Sequence, residues 1–253
     1  MLKLTSKELK DFFVGNLLGD ANIHNKAFSV KQISKDLVLF KKKIIEEYLP
    51  DAKVKITSYS GYIDKNGVNH QDYYYLYMSP HPYIAKLYNE FYPQGKKIVP
   101  KKYTKHMSLI GYAIWYADDG TTILVGYNKH SGSANSRRIE FCTDGFTKKD
   151  VIELAKMISR QYGTTSIVKR KENQYRIRIQ VQDGQQFLID IHKYFYKYFP
   201  SMLYKMDMGY RNKSLEREKY VSEEYKKIYF KISAHSSFID RISPRKIKSY
   251  DIV

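Results

Sequence analysis

A chain of 253 residues with 43% apolar content can bury one large core or two small ones without covalent staples. Its single cysteine, Cys142, excludes an intramolecular disulfide and a thiolate zinc cluster, so any chemistry falls to oxygen and nitrogen groups. Forty-four Lys and Arg against 26 Asp and Glu give a net charge of +18, a field that favours a polyanionic partner, nucleic acid ahead of an anionic membrane surface.

The opening MLKLTSKELK turns polar at once, and the longest nearly apolar run, Met107 to Ala117, is too short for a bilayer. A soluble chain without a cleaved signal is expected, in an organelle such as the mitochondrion or in a bacterial or phage cytoplasm. Thr5 and Glu8 suit a capping box before a helix that runs to about Asp20. Residues Ile23 to Ile33 read as a hairpin. Ser34 then caps a helix from Lys35 to Tyr48, with Leu37, Phe40, Ile44 and Tyr48 on one stripe and Lys41, Lys42, Glu46 and Glu47 largely elsewhere. Two strands follow, Lys53 to Ile63 and Asp72 to Met78, around the turn signal Lys65-Asn66-Gly67, and then a helix from His81 to Tyr92.

From Ser108 the same order begins again. A helix to Asp119 precedes strands near Thr121 to Tyr127 and Arg138 to Thr143. A helix announced by Thr147 and Asp150 leads to strands Thr165 to Lys171 and Gln174 to Val181, and a helix from Gln185 to Tyr198 closes the repeat. The expected domains are 1-98, 99-212 and a basic extension, 213-253. In that extension Leu215 to Ile232 has the charge pattern of a helix, and Ser233 to Val253 reads as either a nucleic-acid-contacting arm or a free end.

In the strand from Gln174, Tyr175, Ile177, Ile179 and Val181 alternate with Arg176, Arg178 and Gln180, giving one apolar and one basic face. Lys53, Lys55, Thr57 and Tyr59 alternate similarly with Val54 and Ile56. Such sheets can rest on helices while Lys53, Lys55, Tyr59, Arg176, Arg178 and Gln180 face a DNA groove, or they can be ordinary solvated faces.

The first helix closes with FFVGNLLGDA and is apolar nearly all round, so burial on several sides is expected. Gly15 and Gly19 lie four apart, and two helical glycines at about 1 kcal/mol each point to close approach of another backbone. The helix LIGYAIWYADDG offers Ala113 and Ala117 four apart and ends in Gly120, a residue suited to a left-handed cap. Asp20, Asp118 and Asp119 all fall at helix C-termini, where the dipole disfavours an anion, so something positive should compensate. If the helices pack together, Asp20 and Asp119 meet, and paired carboxylates repel unless protonated or bound to a hard cation such as Mg²⁺. The alternative is that these aspartates simply end helices on the surface.

At these two helices the sequence resembles the LAGLIDADG homing endonucleases, in particular the monomeric, two-motif, intron-encoded type known from yeast mitochondria. FVGNLLGDA and YAIWYADDG stand at the two signature helices, and KKIVP (96–100) and FPSMLYK (199–205) resemble the family's lysine segments. The resemblance covers residues 5 to 210. It implies an α+β fold of two pseudo-symmetric αββαββα halves, packed through the signature helices, with saddle-shaped antiparallel sheets on double-stranded DNA. It implies catalytic roles for Asp20, Asp119, Lys97 and Lys205, metal binding by Asp20 and Asp119 with Mg²⁺ (Mn²⁺ substituting), and cleavage of both strands of a long site by a monomer. Ala21 stands where the first motif ends in glycine. An intron RNA maturase and a non-cleaving DNA-binding protein on the same scaffold are the competing readings. The seven histidines lack metal-ligand spacing, and no phosphate-binding P-loop occurs.

Overall fold

The computed structural model describes residues 2–65, 67–125, 136–207, 222–229 and 231. Up to residue 198 the described elements follow in the order α1 (Ser6–Leu18), β1 (Asn22–His24), β2 (Ala27–Gln32), α2 (Lys35–Tyr48), β3 (Val54–Tyr59), β4 (Tyr62–Ile63), β5 (Asn69–His70), β6 (Tyr73–Met78), α3 (Pro82–Phe91), α4 (Leu109–Asp119), β7 (Gly120–Val125), β8 (Ser136–Phe141), α5 (Lys148–Tyr162), β9 (Thr165–Lys171), β10 (Gln174–Ile179) and α6 (Val181–Tyr198). Two 3₁₀ turns, Lys101–Thr104 and Pro200–Met206, were not expected from the sequence. The chain is thus an α+β protein of two αββαββα-like halves, each with a four-stranded antiparallel sheet, ordered β1-β2-β6-β3 and β7-β8-β10-β9.

Local chemistry sets most boundaries. The Thr5 hydroxyl accepts from the Glu8 amide while the Glu8 carboxylate accepts from the Thr5 amide, a complete capping box. Ser34 and Thr147 cap α2 and α5 in the same way, accepting from the amides of Leu37 and Asp150. The β1–β2 turn uses Asn25 and Lys26, both at positive φ, as a two-residue hairpin requires. At β10 the alternation overruns: the strand stops at Ile179 and Val181 already belongs to α6. Gly184, a poor helix former, hid that first turn. It is tolerated because a side chain there would press on Ile139.

The signature helices α1 and α4 lie side by side and run in the same direction. At their N-terminal ends the Asp11 carboxylate accepts from the Ser108 amide at 2.8 Å. In the middle, a Cβ on Gly15 would fall on the carbonyl of Gly111. At their C-terminal ends, a Cβ on Gly19 would meet the Asp118 Cβ at 2.5 Å. The closest backbone approach is therefore Gly15 on Gly111, with Gly19 making room for Asp118, a contact that the spacing of Ala113 and Ala117 did not point to. Gly120 also differs from expectation. Its backbone is extended (φ −81°, ψ 149°), and it is small because a side chain there would strike the Tyr116 ring.

The rest of both helices is buried, with Phe12, Phe13, Leu17, Tyr112, Ile114, Trp115 and Tyr116 inside the core. Residues 126–135, which include the end of one expected strand, lie outside the described residues, as does most of the extension beyond 207. Residues 223–229 are helical and pack rather than float: Tyr225, Ile228 and Tyr229 are buried, and the Tyr225 hydroxyl donates to the Met206 carbonyl at 3.0 Å.

The helix contact yields a direct test. Gly15→Ala should destabilise the protein by about 1–3 kcal/mol through overpacking, outweighing the ~1 kcal/mol that alanine gains in helix propensity. Gly145→Ala is the control, since its Cβ meets nothing within 4 Å. Urea midpoints that are equal for the two variants would show that α1 and α4 are free to separate.

Candidate active site

Because α1 and α4 are parallel and in contact, their C-terminal ends, and the carboxylates they carry, arrive together. The compensating positive groups are the two lysines of the sequence reading. Lys97, in the segment after α3, donates from Nζ to the Ala21 carbonyl at 2.9 Å and lies 5.7 Å from the centre of the Phe146 ring. Lys205, in the second 3₁₀ turn, donates to the carbonyls of Ala117 and Asp118 at 2.6 and 2.8 Å. Each amine thus sits on the negative end of a signature helix. The turn that carries Lys205 is itself held, since the Lys205 carbonyl accepts from the Tyr116 and Thr122 hydroxyls at 2.7 and 3.0 Å.

Burial and mutual repulsion set the electrostatics. Asp119 is half-buried, and its pKa is pushed up to about 7 by desolvation first, then by Asp20 and Asp118, against the pull of Lys205 and Lys97. Asp20 stands at the solvent-exposed mouth, where its pKa is also raised, by the atoms crowding it and then by Asp118. Desolvation draws Lys97 down to about 8 and lowers Lys205 as well. The carboxylate that acts most on Lys97 is Asp119, whereas Lys205 feels Asp118 and then Asp20. Lys97, anchored beside the first helix, thus faces a carboxylate of the other half, whereas Lys205 lies between Asp118 of its own half and Asp20 of the other.

Two residues of the site, Gln32 and Lys41, escaped sequence reading, and Asp118 was read only as a helix-end carboxylate. Gln32, at the end of β2, donates from Nε2 to the Asp20 carboxylate and to Asp118 Oδ1, the latter at 3.0 Å. Asp118 is buried and takes both its oxygens to the Lys41 amine, at 2.7 and 2.9 Å. Gln32 carried no signal beyond being the last residue of a hairpin. Lys41 looked like part of a solvated face. A cleft of about 320 Å³ opens over this cluster, lined by Asp20, Lys31, Gln32, Tyr73, Asp118 and Lys205 among others.

Among the described residues no group of three or more His, Cys, Asp and Glu side chains is placed to hold a metal ion. The site fits a divalent ion in another way. Desolvation, with the charges of Asp20 and Asp118 behind it, favours the neutral form of Asp119, and a divalent cation would offset that cost. A hard ion held by two carboxylates would complete its shell with phosphate oxygens and water.

The open faces of the two sheets differ in chemistry. On the first, Lys55, Thr57 and Tyr59 pair with Tyr77, Tyr75 and Tyr73, and Lys53 lies just before β3. Tyr59 stacks on Tyr73 with centroids 4.8 Å apart, and Lys31 Nζ sits 3.8 Å from the centre of the Tyr73 ring. On the second sheet the arginines are braced. Arg176 bonds Asp144 and, at 3.0 Å, Glu140, and Arg178 bonds Glu140 at 2.7 Å, with Glu140 only 1% exposed. Gln180 lies beyond the strand as the N-cap position of α6.

The sequence matches the LAGLIDADG DNA endonuclease family over residues 10–187, and the chain belongs to that family. Among solved structures, it is similar to the homing endonuclease I-WcaI bound to its DNA recognition sequence, with a TM-score of 0.65 and 20% identity over 83% of this chain and 90% of that one. A more distant likeness is to the meganuclease I-AabMI bound to uncleaved DNA, at a TM-score of 0.44 and 12% identity over 88% and 97% of the two chains. Among curated proteins it is 25% identical over 152 residues to RecA of Mycobacterium leprae (strain TN); the match takes in 59% of this chain and about a fifth (21%) of that protein's length. No helix among the described residues is long and apolar enough to cross a membrane.

The raised Asp119 carboxyl makes stability depend on pH. A folded-state pKa above the unfolded one means that the folded protein holds the proton more tightly, so stability falls as pH rises from about 4 through about 7. Asp119→Asn mimics the protonated side chain. Without divalent ions it should leave the melting temperature unchanged below about pH 4 and raise it progressively up to pH 8, and Mg²⁺ should narrow the pH 8 gap by stabilising only the unmodified protein. Identical melting temperatures at pH 8 in EDTA would show that Asp119 is not under repulsion.

Proposed function

We propose that this protein is a site-specific homing endonuclease that makes a double-strand break in a long DNA target by Mg²⁺-dependent phosphodiester hydrolysis, acting as a monomer. The observation that carries this reading is the meeting of Asp20 and Asp119, one from each half, beside the buried amines of Lys97 and Lys205. Two carboxylates on one parallel helix pair give two cleavage centres a short distance apart, as cutting two strands of one duplex demands.

Asp20 and Asp119 would hold the ions, and Mn²⁺ would substitute. A bound ion of this kind activates water and stabilises the leaving 3′ oxygen. The chain's own groups do the rest. Lys205 at the cleft and Lys97 beside it, each held by main-chain carbonyls, would orient water and stabilise charge developing on the phosphate. Each aspartate chiefly serves one strand. Lys53, Lys55 and Tyr59 on the first sheet, and Arg176, Arg178 and Gln180 on and beside the second, are the contacts we assign to the flanking duplex. Lysines meet phosphates there, and arginine and glutamine suit guanine and adenine edges.

The test is selection from a randomised duplex library with Mg²⁺, with EDTA and an Asp20→Asn, Asp119→Asn double variant as controls. A discrete set of double-strand breaks, absent from both controls while the variant still binds the selected duplex, is the expected result. Lys205→Met should slow cleavage by about a hundredfold or more. A folded protein that cuts nothing and binds intron RNA tightly would replace the endonuclease reading with that of a maturase.

A further inference from the structure

Lys41, Asp118, Gln32 and Asp20 form one polar chain that crosses between the halves. Lys41 rises from the middle of α2 and Asp118 from the end of α4, and both side chains are fully buried. The Asp118 carboxylate takes the Lys41 amine on both oxygens. Asp118 Oδ1 and Asp20 Oδ2 then accept from the same nitrogen of Gln32, itself 6% exposed.

Packing does not call for a carboxylate at position 118. Gly19, the residue before Asp20 on the partner helix, has no side chain, and its absence makes the room that Asp118 fills. A buried ion pair is also a poor source of stability, because desolvation of both charges offsets their attraction. What the pair does supply is direction. A side-chain amide has two hydrogens on one end and an acceptor on the other. With Asp118 and Asp20 both presenting oxygens, both hydrogens are used and the amide has a single orientation. Without Asp118 the amide is held by one hydrogen on Asp20 alone, and its second hydrogen and its tilt toward Asp20 are no longer fixed.

We propose that Asp118, neutralised by Lys41, is a positioning residue that turns the Gln32 amide onto Asp20 and so sets the rate of the strand cut that Asp20 serves; the proposal rests on the endonuclease reading. Gln32 bonds Asp20 directly, whereas Asp118 acts on Asp119 only through space, so the larger effect falls on the strand that Asp20 serves.

The experiment follows cleavage of each strand separately, in a plasmid carrying the selected target. Lys41→Met, Asp118→Leu replaces the pair with apolar side chains. Lys41→Met, Asp118→Asn keeps an uncharged acceptor for Gln32. Melting temperature and duplex binding in EDTA are measured alongside. In the leucine variant one strand should be cut about ten- to a hundredfold more slowly, the other much less affected, and nicked circles broken predominantly in the same strand should accumulate. The asparagine variant should recover most of the loss. Gln32→Leu, which leaves the ion pair intact, should slow that same strand, and it carries the test if the double variants do not fold. Equal slowing of both strands, or leucine and asparagine variants that behave alike, would overturn the proposal. An unmodified protein that cuts neither strand would overturn it together with the endonuclease reading.

Discussion

The contact between Gly15 and Gly111 governs the rest of the structure. Two backbones approach there with no side chain between them, and the helices are parallel, so every consequence of the contact appears at one end. Both C-terminal dipole ends point to the same place, and three aspartates stand on them. Antiparallel packing would have put the two signature carboxylates at opposite ends of the pair. The choice of direction, fixed at the other end by the Asp11 bond to the Ser108 amide, is what makes a single site out of two halves.

That concentration of negative charge is met by three lysines, used in two different ways. Lys41 is spent entirely on Asp118, whose oxygens are out of water. Lys97 and Lys205 bond main-chain carbonyls instead and reach the carboxylates only through space. Asp20 and Asp119 are consequently left in repulsion while the cations stay beside them. A site with all its charges paired off would be more stable and would have less affinity for an incoming ion. Here part of the folding free energy is held as unrelieved repulsion between the groups that would bind it.

Topology was legible in the sequence to the extent that it depends on local rules. Caps at Thr5, Ser34 and Thr147 and the period-2 alternation of the strands gave the repeated element order, which the two sheets bear out. The signature aspartates and lysines came from resemblance; Asp20 and Lys205 line the cleft, and Asp119 and Lys97 lie close enough to interact with them through space. What could not be read were facts that depend on the third dimension. The helix i, i+4 rule selected Ala113 and Ala117, but which small residue touches α1 depends on how α4 is rotated about its axis, and that rotation is set by a core made of Tyr112, Trp115 and Tyr116. Lys41 sits among Lys42, Glu46 and Glu47, and charge alone cannot distinguish a solvated lysine from one whose partner lies 77 residues away. Arg176 and Arg178 read as a free basic face because Glu140, on the neighbouring strand, comes opposite Arg178 only through the register of β8 and β10.

The two halves repeat a topology without repeating a chemistry, and the differences fall where function would use them. On the first sheet, lysines stand among tyrosines on an open face; Lys53 and Lys55, long and singly charged, suit contacts whose strength depends on salt more than on geometry. On the second, Arg176 and Arg178 have part of their guanidinium fork already occupied by Glu140 and Asp144, so their remaining donors point in fixed directions. A planar group held from behind loses little freedom on meeting a base edge, which favours discrimination over raw affinity. The acidic residues that lower the net positive charge of that face therefore do not argue against its meeting DNA. They divide the labour, with one sheet suited to hold the duplex and the other to read it.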